Sequence, residues 1–203
     1  MRRRRARGGP AWVALAAFFC AGAAPPHSWD RVTSRLAAAG GARVSAVQVA
    51  TSPADGARDS VRMKIVLGVP CFLRMEHAGR SRVVVMRPDG GEILDPRHRQ
   101  LIRLGPEQAR RVAGVWQLFL SPGSGLREKP LSSGRSVALL PGGDAAPESV
   151  WITLGRDSLP ARLELGPGRM VRLDLSGWQF TRPTSPASFR LAAPAGYEVV
   201  DWP

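Results

Sequence analysis

Three histidines, two cysteines and sixteen acids are the side chains from which this 203-residue chain would have to build a catalytic or metal centre. His27, His77 and His98 lie far apart, with no cysteine or acid at ligand spacing around them, so the pattern of a metal site is missing. Asp95 and His98 are close enough for an acid and base pair. No serine stands in a nucleophile-elbow setting beside them, however, and Asp95-Pro96 reads better as turn chemistry. Glu107 reads as helix-end electrostatics. Gly166-Pro167-Gly168 reads as a hairpin turn and not as a phosphate-cradling loop. The expectation is a protein that is not an enzyme and carries neither metal nor cofactor.

What remains is the chemistry of apolar surface. Met63, Ile65, Leu67, Leu73, Met75, Val83, Val85, Leu163, Leu165, Val171, Leu173 and Leu175 are the candidate walls of an apolar concavity, with Trp116 and Phe119 above it. Met in two neighbouring strands suits a pocket that must adapt to mobile chains. An acyl chain of roughly 16 carbons offers on the order of 12 kcal/mol of gross burial at about 0.8 kcal/mol per methylene. The plain alternative is that these residues fill an ordinary core.

The elements that must position them start with Val61 to Leu104, a run of short strands joined by tight turns. Val61, Met63, Ile65 and Leu67 alternate with Arg62 and Lys64, the period of two of a sheet with one dry face. Cys71, Leu73 and Met75 alternate with Arg74 and Glu76, and Arg82–Arg87 ends in the turn signal Pro88-Asp89-Gly90-Gly91. Glu92–Leu94 and Gln100–Leu104 follow, and neighbours pair most simply as a meander. Before this stretch, Ser28 caps a helix with the stripe Trp29, Val32 and Leu36, ended by Gly40-Gly41, and Arg43–Thr51 reads as a strand. After it, Pro106 opens a helix whose face is Ala109, Val112, Ala113, Trp116, Phe119 and Leu120, stopped by Ser121-Pro122-Gly123. Ser136–Leu140, Val150–Leu154, Ala161–Leu165, Met170–Leu175 and Ser188–Ala192 read as further strands, with Trp178 and Phe180 continuing the line of the fourth. About eleven short strands with two helices imply a mainly β fold in which a curved antiparallel sheet leaves a concavity.

Several of these pieces, in order, resemble a known family. Pro70-Cys71-Phe72-Leu73-Arg74-Met75-Glu76, the basic β-branched strand after it, Asp89-Gly90, Asp95-Pro96 and Gln100 are similar to the central signature of the periplasmic carriers of outer-membrane lipoproteins, the LolA-like proteins. Phe189 with Pro194-Ala195-Gly196-Tyr197-Glu198-Val199-Val200-Asp201 resembles their closing strand. The resemblance implies an incomplete, half-closed β-barrel with a helical lid. It also implies acylated lipoprotein or lipid cargo, an inner-membrane release complex and an outer-membrane acceptor. Val69 and Pro70 would mark the lid edge, where Val69 replaces a residue that is often basic and thought to hold the lid shut. The segment from Gly90 to Asp95 lacks the aromatic pair common between the two landmarks. The expected consequence is a looser closed state.

Residues 1–23 follow the plan of a secretory signal: Arg2 to Arg5 and Arg7, an apolar stretch from Ala11 to Phe19, then Ala21-Gly22-Ala23. The apolar part is too short for a spanning helix. Cys20 invites a lipid anchor, but Phe18-Phe19 are too bulky for a lipobox, so it is read as lost with the signal. Its removal takes five arginines and no acid, lowering the formal charge from +13 to +8. Such a balance raises nucleic-acid binding; secretion argues against it, and arginines spread over wet strand faces fit solvation or anionic head groups as well. Residues 24–203 form one domain, read as a monomer, and Cys71 alone survives, so no internal disulfide forms. The reading is a periplasmic carrier that takes acyl chains toward the outer membrane. A sensory or interaction module of the same fold, binding a protein partner without lipid, is the alternative; a hydrolase acting through Asp95 or His98 comes third.

Overall fold

The computed structural model describes residues 28–120, 127–130, 136–140, 150–183 and 185–202. The signal segment with Cys20, His27, the helix stop at Ser121-Pro122-Gly123 and the Ser28 side chain lie outside the described residues.

The alternation of apolar and polar residues is realised as strands β1 (Gly41–Thr51), β2 (Arg58–Gly68), β3 (Phe72–His77), β4 (Val83–Arg87), β5 (Gly90–Asp95) and β6 (Gln100–Leu104). After the helical segment come β7 (Arg127–Pro130), β8 (Ser136–Leu140), β9 (Val150–Leu154), β10 (Pro160–Leu165), β11 (Val171–Phe180) and β12 (Glu198–Trp202). All twelve join one open sheet in the order β12-β6-β5-β4-β3-β2-β1-β11-β10-β9-β8-β7. The expected meander is present from β2 to β6, and β12 adds to its edge parallel to β6. The sheet does not close on itself, because β12 and β7 stand at opposite edges. The fold is therefore mainly β, a half-closed barrel with its helices on the concave side.

Helix α1 (Ser28–Ala39) buries Trp29, Val32 and Leu36 and ends at Gly40, whose φ of +75° suits the left-handed cap that glycine provides. The second helical segment departs from the single helix expected over residues 106–120. It runs as α2 (Pro106–Ala113), a 3-10 turn (Gly114–Trp116) and a last turn α3 (Gln117–Leu120). Gly114 adopts φ 51°, ψ −128°, which breaks the helical path. Gln117 caps the break by donating from Nε2 to the Arg110 carbonyl at 2.8 Å. Ala109 and Ala113 are buried, and α2 lies against β5 where Gly91 has no side chain. A Cβ there would come within 2.7 Å of the Val85 carbonyl oxygen and 3.4 Å of Ala109 Cβ.

One expected strand is absent. Ser188–Ala192 does not pair; Pro186–Phe189 is a 3-10 turn and the last strand is β12. Prolines at 183, 186 and 194 flank this stretch, and side chains of the outer sheet face bond to its backbone instead of a neighbouring strand. Arg74 Nη1 donates to the Ser188 carbonyl at 2.8 Å, Arg87 Nη1 to the Phe189 carbonyl at 3.1 Å, and the Leu191 N–H to Glu92 Oε2 at 2.6 Å. Phe189 is buried by this strap.

Candidate functional site

Register decides which side chains face the concavity, since directly paired residues share a sheet face. Ile65 pairs Met75 and Leu67 pairs Leu73. Ala46 links Met63 on one side to Leu175 on the other, and Leu173 and Val171 pair Leu163 and Leu165. Ten of the twelve expected wall residues therefore share one face: Met63, Ile65, Leu67, Leu73, Met75, Leu163, Leu165, Val171, Leu173 and Leu175.

Val83 and Val85 do not join them. Met75 pairs Val84 and Leu73 pairs Met86, so Val84 and Met86 look inward, whereas Val85 pairs Arg74 on the outer face. Val85 is nonetheless fully buried, because the Pro186–Phe189 strap covers that side of β4. A strand apolar on both faces hides its parity in sequence; the partner register restores it. Trp178 and Phe180 reach the inner side only through a bulge. The β1–β11 register slips by one residue after Ser176, at Gly177 with φ +66°, which turns even-numbered residues inward after odd ones.

The lid side chains fill much of this concavity. Phe119 meets Trp29 edge-on at 4.9 Å between ring centroids, Trp116 at 5.7 Å and Trp178 at 5.6 Å. Trp178 Nε1 is satisfied by the Pro160 carbonyl at 2.9 Å, and Arg35 covers the Phe180 ring at 4.3 Å. Beneath the break at Gly114 a cavity of about 280 Å³ stays open. Its walls are Met63, Met75, Val84, Leu165, Val171 and Leu173 from the sheet, with Val112, Val115 and Trp116 from the lid. That volume sits at the lower limit of small-molecule pockets, roughly 300 Å³, smaller than a whole lipid needs. Val69 and Pro70 lie at the end of β2. Val69 is 38% exposed and donates its N–H to the Gly40 carbonyl at 3.1 Å, which places it beside the end of α1.

At the open end of the concavity the inward rows change character. β3 continues from Leu73 and Met75 to His77, the row of Met86 and Val84 leads back to Arg82, and β1 contributes Gln48 opposite Val61. All three line the cavity. His77 is held below its ordinary value of 6.5 by burial first and then by the charges of Arg82 and Arg80, so it is neutral at pH 7. Sequence reasoning considered His77 only as a metal ligand; its parity with Leu73 and Met75 was the signal that placed it on this rim.

Asp95 and His98 meet at the turn between β5 and β6. Asp95 Oδ1 accepts the Arg97 and His98 N–H groups at 3.1 and 3.3 Å, and Oδ2 lies 3.2 Å from His98 Nδ1. Burial pushes this carboxyl up, but the hydrogen bonds from His98 and Arg97 outweigh it and hold Asp95 below the usual range. Cys71 is half-buried with a free thiol. Among the described residues no three His, Cys, Asp or Glu gather to hold a metal ion, and no helix is long and apolar enough to cross a membrane.

No protein-family model matches the chain, and no curated protein does. Solved structures similar to it include an uncharacterized conserved protein from Thermus thermophilus, at 16% identity and TM-score 0.49, covering 86% of this chain and 99% of that one. A LolA superfamily protein from Nitrosomonas europaea is similar at 12% identity and TM-score 0.44, covering 80% and 97%. A putative outer membrane lipoprotein-sorting protein domain from Vibrio parahaemolyticus is similar at 8% identity and TM-score 0.42, covering 80% and 94%.

Proposed function

We propose that the protein is a non-enzymatic carrier that shelters the acyl chains of a lipid or lipoprotein between its concave sheet and its broken helical lid. The observation that carries this reading is the cavity beneath Gly114, walled by hydrocarbon from both sheet halves and roofed by Val112, Val115 and Trp116. Magnitudes permit exchange of lid for cargo. Withdrawing Trp116 and Phe119 forfeits roughly 3–6 kcal/mol of side-chain burial. A chain of about 16 carbons gains on the order of 12 kcal/mol in return. The difference is comparable with the roughly 4–15 kcal/mol that association costs, which suits a cargo that must be both taken up and released.

The carrier works in the periplasm, reached through a signal cleaved after Ala23, and passes its cargo from an inner-membrane release complex to an outer-membrane acceptor. This direction rests on the motif resemblance around Pro70–Glu76 and Asp89-Gly90. Mass spectrometry of the protein purified without detergent from its own cells tests the carrier reading. Co-purified lipoprotein or phospholipid, lost on lipid extraction, is the expected result. A lipid-free protein holding a stoichiometric protein partner would contradict it.

A further inference from the structure

We propose that the polar end of the groove binds the negatively charged phosphodiester headgroup of a phospholipid whose acyl chain occupies the apolar cavity. This inference rests on the carrier reading and narrows its cargo. The apolar cavity does not end in a wall. Gln48, His77 and Arg82 line both it and an adjoining hollow of about 200 Å³ that Ala50, Val61, Asp59 and Arg80 complete, so the hydrocarbon of the cavity and the charged groups of the hollow share one rim. An amphiphile is the ligand shape that fits such a junction.

The rim carries unspent hydrogen-bonding capacity. His77 Nε2 and Arg82 Nε are buried and have no hydrogen-bond partner among the described residues. Buried polar atoms are normally satisfied, and an acceptor oxygen arriving from a ligand would relieve both.

The charge around them selects an anion. Asp59 is engaged by Arg80 at 2.6 Å, and Asp95 by His98 and two backbone N–H groups. Arg82 and Arg97, which line a further cleft on the same side, have no ion pair among the described residues. A guanidinium offers two parallel donors to a phosphate, a geometry suited to a phosphodiester. The acylated cysteine of a lipoprotein presents esters and amides but no formal charge, so it leaves this capacity unused.

Calorimetric titration of the full secreted chain with two lipids of identical short chains, dioctanoyl phosphatidylglycerol and dioctanoylglycerol, which lacks the phosphodiester, tests the proposal. The expected result is about tenfold tighter binding of the anionic lipid. Arg82→Gln should lower the affinity for phosphatidylglycerol to that for dioctanoylglycerol, and Arg82→Lys should retain part of the preference. Glycerol 1-phosphate alone should bind at least about a hundredfold more weakly than the lipid. Equal affinity of the unaltered protein for both lipids would overturn the headgroup site and leave the carrier reading standing. Binding of neither lipid would overturn the headgroup site, the carrier reading being decided by the lipid or lipoprotein that co-purifies, and glycerol 1-phosphate binding as tightly as phosphatidylglycerol would assign the site to a free phosphate ester instead.

Discussion

His77 stands where a row of inward side chains passes from hydrocarbon to nitrogen, and its protonation is set by that position. Buried beside Arg82 and Arg80, it resists taking a proton in the folded protein, whereas in the unfolded chain it titrates near 6.5. Below that value the unfolded state binds more protons, so stability rises with pH across this window and is lost as pH falls through the folded pKa. Arg80, Arg82 and Asp59 are the charged groups facing the imidazole, and the lid residues over the cavity carry none. Urea unfolding should therefore show stability declining from pH 7 toward pH 5, and His77→Gln should flatten that decline. An unchanged slope in the variant would place the titrating group elsewhere.

The carrier reading requires the lid to open, and its construction from short helical pieces predicts that it opens before the central strands. Eight residues of α2 and four of α3 are too short to stand as helices alone. They are held by Ala109, Ala113, Trp116, Phe119 and their neighbours against the sheet. Hydrogen exchange should show residues 106–120 opening well before β1, β2 and β3. Gly114→Ala meets no steric neighbour, but φ 51°, ψ −128° is a conformation that side chains resist. At a cost of about 1–3 kcal/mol for such a backbone, it should speed lid exchange at least about fivefold. Lid amides as protected as those of β2 would contradict this account. The break itself was hidden in the sequence. Ala109 to Leu120 keeps helical spacing throughout, and only the backbone angle at Gly114 reveals that Leu118 is buried along with Phe119 and Leu120. Ser188–Ala192 failed as a strand for a related reason: its partners are Arg74, Arg87 and Glu92, distant side chains that no local pattern announces.

Across the whole molecule, the alternation that sequence displays is sufficient to place most of the strands. Residues 61–67, 72–77, 150–154, 161–165 and 171–175 all lie in strands, and Met63, Met75, Leu163 and Leu173 lie on the expected face. What local pattern could not supply was long-range pairing. The parallel contact of β12 with β6, the slip at Gly177 and the inward turn of Val84 each depend on partners far away in the chain. The rim of Gln48, His77 and Arg82 also emerges only when β1, β3 and β4 are laid side by side. A carrier of this kind requires that hydrocarbon from a guest enters the cavity under the lid. Methyl NMR of the protein labelled at its methionines tests this directly, because Met63 and Met75 line that cavity while Met170 lies outside it. Titration with a fatty acid carrying a nitroxide near its chain terminus should broaden the Met63 and Met75 methyl signals more strongly than that of Met170. Broadening of Met170 alone, or of none of the three, would contradict the account.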